Sequence, residues 1–289
     1  MMKKQKKGEL RETSPVAIGF ESHPPHHILA TKVLSHLQHC YLFVRIAIIS
    51  DIHGNLVALK AALSDIKRRK TNRIVCLGDV AATGPQPIEV IEHLRNIRCP
   101  CVMGNTDETL ARDLPNEFDA GIPEGERKKL EALDLWTRKK LTKLHRHYLS
   151  TFKPILEVHL GPAQGLLCYH GSPSSNTDGI LPTMPDEKLA RRLEGHKANV
   201  FAGGHTHTQM FRRFLSSLII NPGSIGLPFQ IESSGMMWNP PVAEYAVLSS
   251  SDGALAVELV SVPYSLSELR RAVRNSSMPD PAWWLSDWY

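Results

Sequence analysis

The chain has 289 residues, 42% of them hydrophobic, which is enough to bury a substantial core as one large domain or two small ones. Residues 1–44 carry +3 of the +5 net charge, so the remainder is nearly neutral and gives no strong nucleic-acid footprint. No apolar run approaches the roughly 20 residues of a membrane helix, and five cysteines without a disulfide framework predict a cytoplasmic location.

The first 43 residues differ in texture from the rest of the chain. They begin with lysines and contain three prolines and five histidines. Their apolar stretch is interrupted by polar residues, and arginine is scarce, so neither a signal peptide nor a transit peptide is indicated. We expect residues 1–43 to form a poorly ordered N-terminal extension.

Strand and helix patterns alternate from residue 44 onward. Apolar runs predict strands at 44–50, 74–77 and 101–103, and helical spacing of leucine and isoleucine predicts helices near 55–69 and 86–97. This alternation favours parallel pairing with right-handed crossovers, and therefore an α/β fold.

Residues 107–153 are charged and helical in pattern, and we expect them to form a helical insertion in a domain that spans 44–262. His145 and His147 are predicted to lie on its surface. After Pro154 the pattern predicts short strands, at 155–160, 166–170, 199–203, 217–220, 243–249 and 254–262.

Two more helices are expected in the second half of the chain, near 186–195 and near 265–275. Residues 263–289 then form a C-terminal helix and a Trp-rich tail. We expect this tail to pack on its own domain or on a sister subunit, because so much exposed aromatic surface would favour aggregation.

Polar residues able to bind a metal ion follow the predicted strands. They are Asp51, His53, Asp79, Asn105, His170, His205 and His207. The carboxyl ends of strands in α/β sheets are where ligands bind, so these side chains are expected at one rim. Asp51 and His53 are two residues apart, and on extended backbone both would point the same way. The same spacing predicts that His205 and His207 face one site while Thr206 points away.

This mixed set of nitrogen and oxygen donors suits borderline divalent ions better than Ca²⁺ or Mg²⁺. We expect manganese first, with Ni, Fe, Zn, Co or Mg as alternatives. Seven ligands are too many for one tetrahedral ion, but they suit two ions about 3.5–4 Å apart that share a carboxylate. Taken singly, Asp79 could be a helix cap, Asn105 a turn residue and His170 a core histidine. Their joint occurrence behind successive strands favours metal binding.

The ordered motifs resemble those of the calcineurin-like metallophosphoesterases. The matching stretches are Asp51-Ile52-His53-Gly54-Asn55, Leu77-Gly78-Asp79, Gly104-Asn105-Thr106-Asp107, Tyr169-His170-Gly171-Ser172-Pro173 and Gly203-Gly204-His205-Thr206-His207. The segment Asn221-Pro222-Gly223-Ser224 is similar to one in the compact bacterial and archaeal phosphodiesterase branch. The resemblance covers roughly residues 44–262.

The resemblance implies a four-layer α/β/β/α sandwich of two facing mixed β-sheets. It implies one ion held by Asp51, His53 and His207, a second ion held by Asn105, His170 and His205, and Asp79 bridging the two. A hydroxide between the ions would attack phosphorus in line, with Asn105 helping to neutralise the phosphoryl oxygens. The segment around Ser224 would shape the rim or contact the substrate.

Two positions depart from related sequences. Many members carry a histidine, thought to protonate the leaving group, where this chain has Thr106, whose hydroxyl is too weak an acid for that role. Asp107 then lacks a histidine partner and is expected to act mainly as a helix N-cap. The residues after Gly78-Asp79 lack the acidic–basic pair of protein phosphatases, so phosphoproteins are poor candidate substrates.

The sequence therefore predicts a metal-dependent phosphodiesterase acting on small organic or nucleotide phosphodiesters. A phosphomonoesterase or a dinucleoside polyphosphate hydrolase is the alternative on the same site. A non-catalytic protein-binding scaffold is the alternative from another class, but a scaffold would be expected to lose ligands, and all seven are present. No membrane partner is expected, and a homo-oligomer is left open.

Overall fold

The computed structural model describes residues 44–118, 121–161, 164–232, 236–251 and 253–289. The expected N-terminal extension, residues 1–43, lies outside the described residues. Among the described helices, none is long and apolar enough to cross a membrane.

Strands and helices alternate in the first part of the described chain, and strands dominate the second. The strands are β1 Val44–Ile49, β2 Arg73–Cys76, β3 Leu156–Gly161, β4 Gln164–Cys168, β5 Val200–Ala202, β6 Met210–Phe214, β7 Ser217–Asn221, β8 Gln230–Ile231, β9 Met237–Trp238, β10 Val242–Ser251 and β11 Ala254–Pro263. The helices are α1 Leu56–Arg68, α2 Pro87–Asn96, α3 Asn105–Arg112, α4 Glu124–Lys140, α5 Lys143–Ser150, α6 Asp186–Arg192, α7 Leu266–Ser276 and α8 Pro281–Trp284.

Two mixed sheets form the centre of the protein. The first has the order β11-β10-β1-β2, in which β1 is parallel to β2 and antiparallel to β10. The second has the order β3-β4-β5-β7-β6, with β4, β5 and β7 parallel. The short strand expected at 101–103 is reduced to single bridges at Cys101 and Val102.

The alternation of side chains along β1 explains the layering. Ile46 and Ile48 point into the core between the two sheets, whereas Ala47 and Ile49 face the helices α1 and α2 on the other side. On the outer face of the second sheet, Leu189 of α6 packs with residues of β4, β5 and β7. The predicted four-layer α/β/β/α sandwich is confirmed.

The α1 helix shows why the sequence begins a helix directly behind the Asp51–His53 loop. The Asn55 side chain accepts a hydrogen bond from the Ala58 backbone N–H (3.0 Å) and so caps the helix. Leu59, Ala62 and Ile66 then lie buried on one face against the first sheet. Cap and apolar stripe together fix the direction in which the chain leaves the loop.

The C-terminal residues pack on their own chain. Trp284 and Trp288 are buried with Leu133 of α4 and with Leu269 and Val273 of α7. This agrees with the first of the two expectations for the Trp-rich tail.

Two features of the fold differ from the sequence analysis. His145 is not a surface residue: it is buried, and its Nε2 lies 3.1 Å from Oε1 of Glu92 on α2. The sequence did not predict β6, because Arg212 and Arg213 interrupt its apolar residues. At the edge of a sheet, such charged residues are compatible with a strand.

Candidate metal centre

The loops that carry the candidate ligands have an unusual backbone conformation. Asp51 (φ 53°), His53 (φ 47°), Asp79 (φ 53°), His205 (φ 67°) and His207 (φ 54°) all lie in the left-handed region. The expectation of extended backbone at Asp51 and His53, and at His205 and His207, is therefore wrong. Residues held in this region cost free energy, and they cluster at functional sites where surrounding contacts impose the conformation.

Backbone hydrogen bonds between loops impose it here. The N–H of Asp51 donates to the Gly78 carbonyl (3.0 Å), and the N–H of His53 donates to the Asp79 carbonyl (3.0 Å). The loops after β1 and β2 are thereby joined, which brings the side chains of both to the same rim.

Asp51, His53 and His207 form the first group of donor atoms. The Nε2 atom of His207 lies 3.2 Å from Asp51 Oδ1 and 3.1 Å from His53 Nε2. The distance from His53 Nε2 to Asp51 Oδ1 is 3.8 Å. This group joins the loop after β1 of the first sheet to the loop after β5 of the second.

Asp79, His170 and His205 form the second group. His170 Nε2 lies 3.4 Å from Asp79 Oδ2 and 3.1 Å from Asn105 Oδ1. The ring centroids of His170 and His205 are 5.1 Å apart. The structure therefore brings all seven predicted residues together, but His205 and His207 fall in different groups.

Asp79 lies between the two groups. Its Oδ2 atom is 3.4 Å from His170 Nε2 in the second group and 3.8 Å from His53 Nε2 in the first. One carboxylate oxygen thus faces both groups, which is the position that a shared ligand would occupy.

Three of the four imidazoles are oriented by backbone carbonyls. The Nδ1 atoms of His53, His170 and His207 lie 3.1, 2.7 and 2.7 Å from the carbonyl oxygens of Ala82, Leu77 and Leu227, respectively. A carbonyl only accepts, so each Nδ1 carries the proton and donates. The Nε2 lone pairs consequently point into the centre, as metal-binding histidines require.

Each central carboxylate has one oxygen held by protein donors. Asp51 Oδ2 accepts from Ser50 Oγ (2.5 Å) and from the His205 backbone N–H (3.0 Å). Asp79 Oδ1 accepts from the hydroxyl (2.8 Å) and the backbone N–H (3.0 Å) of Thr106. The other oxygen of each carboxylate is left for the centre.

The donor set fits a cation. Asp51 Oδ1 is buried and has no hydrogen-bond donor among the described residues, while it faces the Nε2 atoms of His53, His170 and His207. Buried lone pairs that face one another without a donor are unfavourable unless a positive charge lies between them. The residues therefore fit divalent metal ions.

The ionisation behaviour of the centre shows the same demand for positive charge. Burial alone would lower the pKa of His170, but the charge of Asp79 and the hydrogen bond to it raise that pKa to about 10. Burial would raise the pKa of Asp51, but His207 and the other imidazoles lower it well below its ordinary value. Without a metal, a proton on His170 supplies part of this charge.

Thr106 and Asp107 have roles that sequence reasoning missed. Thr106 is buried, and its hydroxyl is used to hold Asp79. Asp107 is not the N-cap of α3: Gly104 occupies that position, and Asp107 lies three residues further on. Its carboxylate accepts from the backbone N–H groups of Asp79 (2.7 Å), Val80 (2.9 Å) and Gly104 (3.2 Å). Asp107 therefore holds the Asp79 loop in place. Nothing in the sequence indicated this contact, because Asp107 and Asp79 belong to two separate motifs.

The segment after β7 supports the Asp51 loop. Ser224 is fully buried, and its hydroxyl donates to the Asp51 carbonyl (2.8 Å), so the alternative that Ser224 contacts the substrate is wrong. Asn221 donates to the carbonyl of Gly204 (2.8 Å), which precedes His205. The segment therefore holds ligand-bearing loops in place.

The fold and the donor groups define a metallophosphoesterase. A model of the calcineurin-like phosphoesterase superfamily domain matches residues 44–239. The chain belongs to this superfamily, which places it among the hydrolases of phosphate esters.

Particular relatives cover most of the chain. Protein MJ0912 of Methanocaldococcus jannaschii, which is uncharacterized, is 26% identical over 84% of this chain and 96% of its own. A metallophosphoesterase from Sphaerobacter thermophilus superposes with a TM-score of 0.64 at 26% identity, covering 84% of this chain and 98% of the other. Hypothetical protein PH1004 from Pyrococcus horikoshii shares the fold, with a TM-score of 0.66 and 24% identity over 82% of this chain and 95% of its own.

Proposed function

We propose that the protein is a binuclear metal-dependent phosphodiesterase acting on small organic or nucleotide phosphodiesters. The observation that carries this proposal is the pair of donor groups with Asp79 Oδ2 between them. A protein-binding scaffold has no need of this arrangement, whereas phosphoester hydrolysis with two ions does.

Each residue has a defined part in the proposal. Asp51, His53 and His207 would hold one ion, Asn105, His170 and His205 would hold the other, and Asp79 would serve both. Two such ions would acidify a water molecule and neutralise charge on the phosphoryl group, with manganese our first choice. The Asn105 amide, at the start of α3, can also donate to a phosphoryl oxygen.

The leaving group must leave without help from residue 106. Thr106 is too weak an acid, and its hydroxyl is committed to Asp79. We therefore expect esters with good leaving groups, such as aryloxides, to be hydrolysed faster than those with alkoxide leaving groups, with water supplying the proton. Equal rates for aryl and simple alkyl diesters would contradict this.

Two further features support the finer parts of the proposal. The half-buried ring of Phe229 lies against His207, with centroids 5.1 Å apart, and offers an apolar contact for an organic substituent beside the first group.

The four cysteines in the described part of the chain are free thiols, which supports a reducing, cytoplasmic location.

The deciding experiment compares a chromogenic aryl phosphodiester with its matching monoester. Metal-stripped protein is supplied with Mn, Ni, Zn or Mg, and both hydrolysis rates are measured. Metal-dependent cleavage of the diester in preference to the monoester is expected. The reverse preference would indicate a phosphomonoesterase. No turnover with any metal, in protein that binds two ions, would contradict a catalytic function.

Replacement of the shared carboxylate tests the two-ion arrangement. Asp79→Asn puts an amide where Oδ2 faces both groups, so we expect loss of at least one bound ion and nearly all turnover. Metal content by mass spectrometry and kcat are the measurements. The control is Asp113→Asn, because Asp113 is an exposed acid with the same left-handed backbone that pairs with Arg146 instead. Wild-type turnover in Asp79→Asn would exclude the two-ion proposal.

A further inference from the structure

The C-terminal tail contacts the loop behind the first donor group. Trp284 lies in α8, beyond the residues matched by the family model, and is buried. Its indole Nε1–H donates to the backbone carbonyl of Thr83 at 2.6 Å. Thr83 follows Asp79 by four residues in the same loop. A residue near the end of the chain therefore restrains the backbone beside the candidate metal centre.

Thr83 and its neighbour both face His53. The Ala82 carbonyl accepts the hydrogen bond from His53 Nδ1 (3.1 Å), and the Thr83 hydroxyl lies 3.4 Å from the same nitrogen. Thr83 itself has φ 76°, which is strained for a β-branched residue. Such a conformation persists only when surrounding contacts hold it. The hydrogen bond from Trp284 is one of those contacts.

The tail is itself fixed by the protein core. The rings of Trp284 and Trp288 are 5.3 Å apart, and both belong to the apolar cluster formed by α4 and α7. The backbone N–H of Asn239 donates to the Asp287 carbonyl at 2.6 Å. The Trp284 indole is consequently a donor in a fixed position, and the Thr83 carbonyl must adopt the place that this donor dictates.

We propose that Trp284 is a positioning residue for His53. By holding the Thr83 carbonyl, it keeps the Ala82 carbonyl and the Thr83 hydroxyl at His53 Nδ1, and so keeps Nε2 directed at the first donor group. Contacts to the outer side of metal-binding histidines set ring orientation and ligand strength. This inference rests on the proposed function, because it takes His53 to be a metal ligand.

The test is a metal titration of the stripped full-length protein. Mn²⁺ binding is followed by calorimetry in wild type, Trp284→Phe and Trp283→Phe. Phenylalanine keeps an aromatic ring at position 284 but removes the N–H donor. Trp283 is the matched control, because it lies in the same segment with its ring beneath Lys129 Nζ, 5.3 Å away. Single changes His207→Ala and His205→Ala identify which binding step belongs to which donor group.

We expect Trp284→Phe to lower the Mn²⁺ affinity of the first donor group about tenfold, which is the smaller end of the loss seen when residues that orient metal ligands are replaced. The Mn²⁺ affinity of the second donor group should not change. Trp283→Phe should leave both unchanged. Thr83→Ala, which removes the hydroxyl beside His53 without touching the tail, should also weaken the first step selectively. It keeps the test valid if Trp284→Phe does not fold.

Three results would overturn the inference. The first is unchanged binding in Trp284→Phe, or in Thr83→Ala where Trp284→Phe does not fold. The second is an equal weakening of both steps, and the third is an equal effect of Trp283→Phe; either would indicate general loosening of the fold. Failure of the proposed function is distinguishable. If the first donor group holds no ion, wild type shows no first-group step for His207→Ala to remove; if the ions bind but nothing is hydrolysed, the phosphodiester assay fails while this titration still reads the effect of Trp284.

Discussion

In both central carboxylates, one oxygen is held by protein donors and the other faces the imidazoles. Asp51 Oδ2 and Asp79 Oδ1 accept hydrogen bonds from nearby protein donors, while Asp51 Oδ1 and Asp79 Oδ2 face the imidazoles. Holding one oxygen fixes the direction of the other, so the chain sets the ligand geometry before any ion binds. Two donors hold each of these oxygens, and the donors that are side-chain hydroxyls can be removed, and so tested, by a single substitution.

Thr106 provides the clearest such test. Thr106→Val keeps the shape of the side chain but removes the hydroxyl that donates to Asp79 Oδ1. A hydrogen bond to a charged group contributes about 1.5–3 kcal/mol, so we expect kcat to fall roughly tenfold or more. Thr106→Ser retains the donor and should stay near wild type. Equal kcat in the valine and serine variants would contradict this role.

Glu244 allows a prediction away from the metal centre. Burial raises the pKa of its carboxyl group to about 7, above the ordinary value of 4.5. The folded state thus favours the protonated carboxyl group. The contribution of Glu244 to the free energy of unfolding is fully present below pH 4.5 and is lost as pH rises through about 7. Glu244→Gln should therefore raise Tm at pH 8 and change it little at pH 4.5. The exposed Glu157→Gln is the control, and a Tm gain independent of pH would contradict the prediction.

At the scale of elements, the strand ends are shaped by close approach between loops. Gly104 lies between α3 and the residues Cys101 and Val102, each of which forms a single β-bridge. It packs against Asp79, so a methyl group at this position would overlap Asp79 Oδ1 and the Asp79 backbone nitrogen. Gly204 is similarly placed against Ser50 and Asp51. Gly104 and Gly204 are therefore required by space, since neither has a positive φ.

The Gly104→Ala variant measures this requirement. Its methyl group must displace the Asp79 carboxylate or the loop, so we expect loss of the second bound ion and at least a tenfold fall in kcat. The control is Gly125→Ala at the start of α4, where nothing lies within 4 Å of the added methyl group. It should leave kcat unchanged and raise Tm slightly, because alanine has the higher helix propensity. Normal metal content in Gly104→Ala would contradict the argument.

At the scale of the whole molecule, the centre links the two sheets. Asp51, His53 and Asp79 come from the first sheet, whereas His170 and His205 follow strands of the second. Against the opposing effects of burial, His170, from the second sheet, lowers the pKa of Asp79, from the first, and Asp79 in turn raises the pKa of His170. The binding of ions must therefore compete with the binding of protons.

The sign of this competition can be predicted. With the pKa of His170 raised to about 10 by Asp79, against the effect of burial, His170 is protonated at neutral pH in the metal-free protein. A histidine must lose that proton to bind a metal, so apparent affinity should rise up to tenfold per pH unit between pH 7 and 9. Activity should fall as pH is lowered from neutral. Titration in buffers of different ionisation enthalpy would measure the released protons; a flat profile would contradict the prediction.

The sequence by itself determined the α/β class through the periodicity of its strands and helices, and selected the seven side chains that lie together at the rim by their places behind the predicted strands. The four-layer arrangement followed from the resemblance that the ordered motifs carry, because such motifs are local patterns readable in one sequence. The metal identity, cytoplasmic location, domain boundaries and ligand roles stay predictions. Only the tertiary structure revealed the left-handed ligand loops, the burial of His145, the Thr106–Asp79 hydrogen bond and the contact of Trp284 with Thr83. These depend on atoms far apart in the chain, such as Leu77 O and His170 Nδ1, whose meeting is decided by how the layers pack.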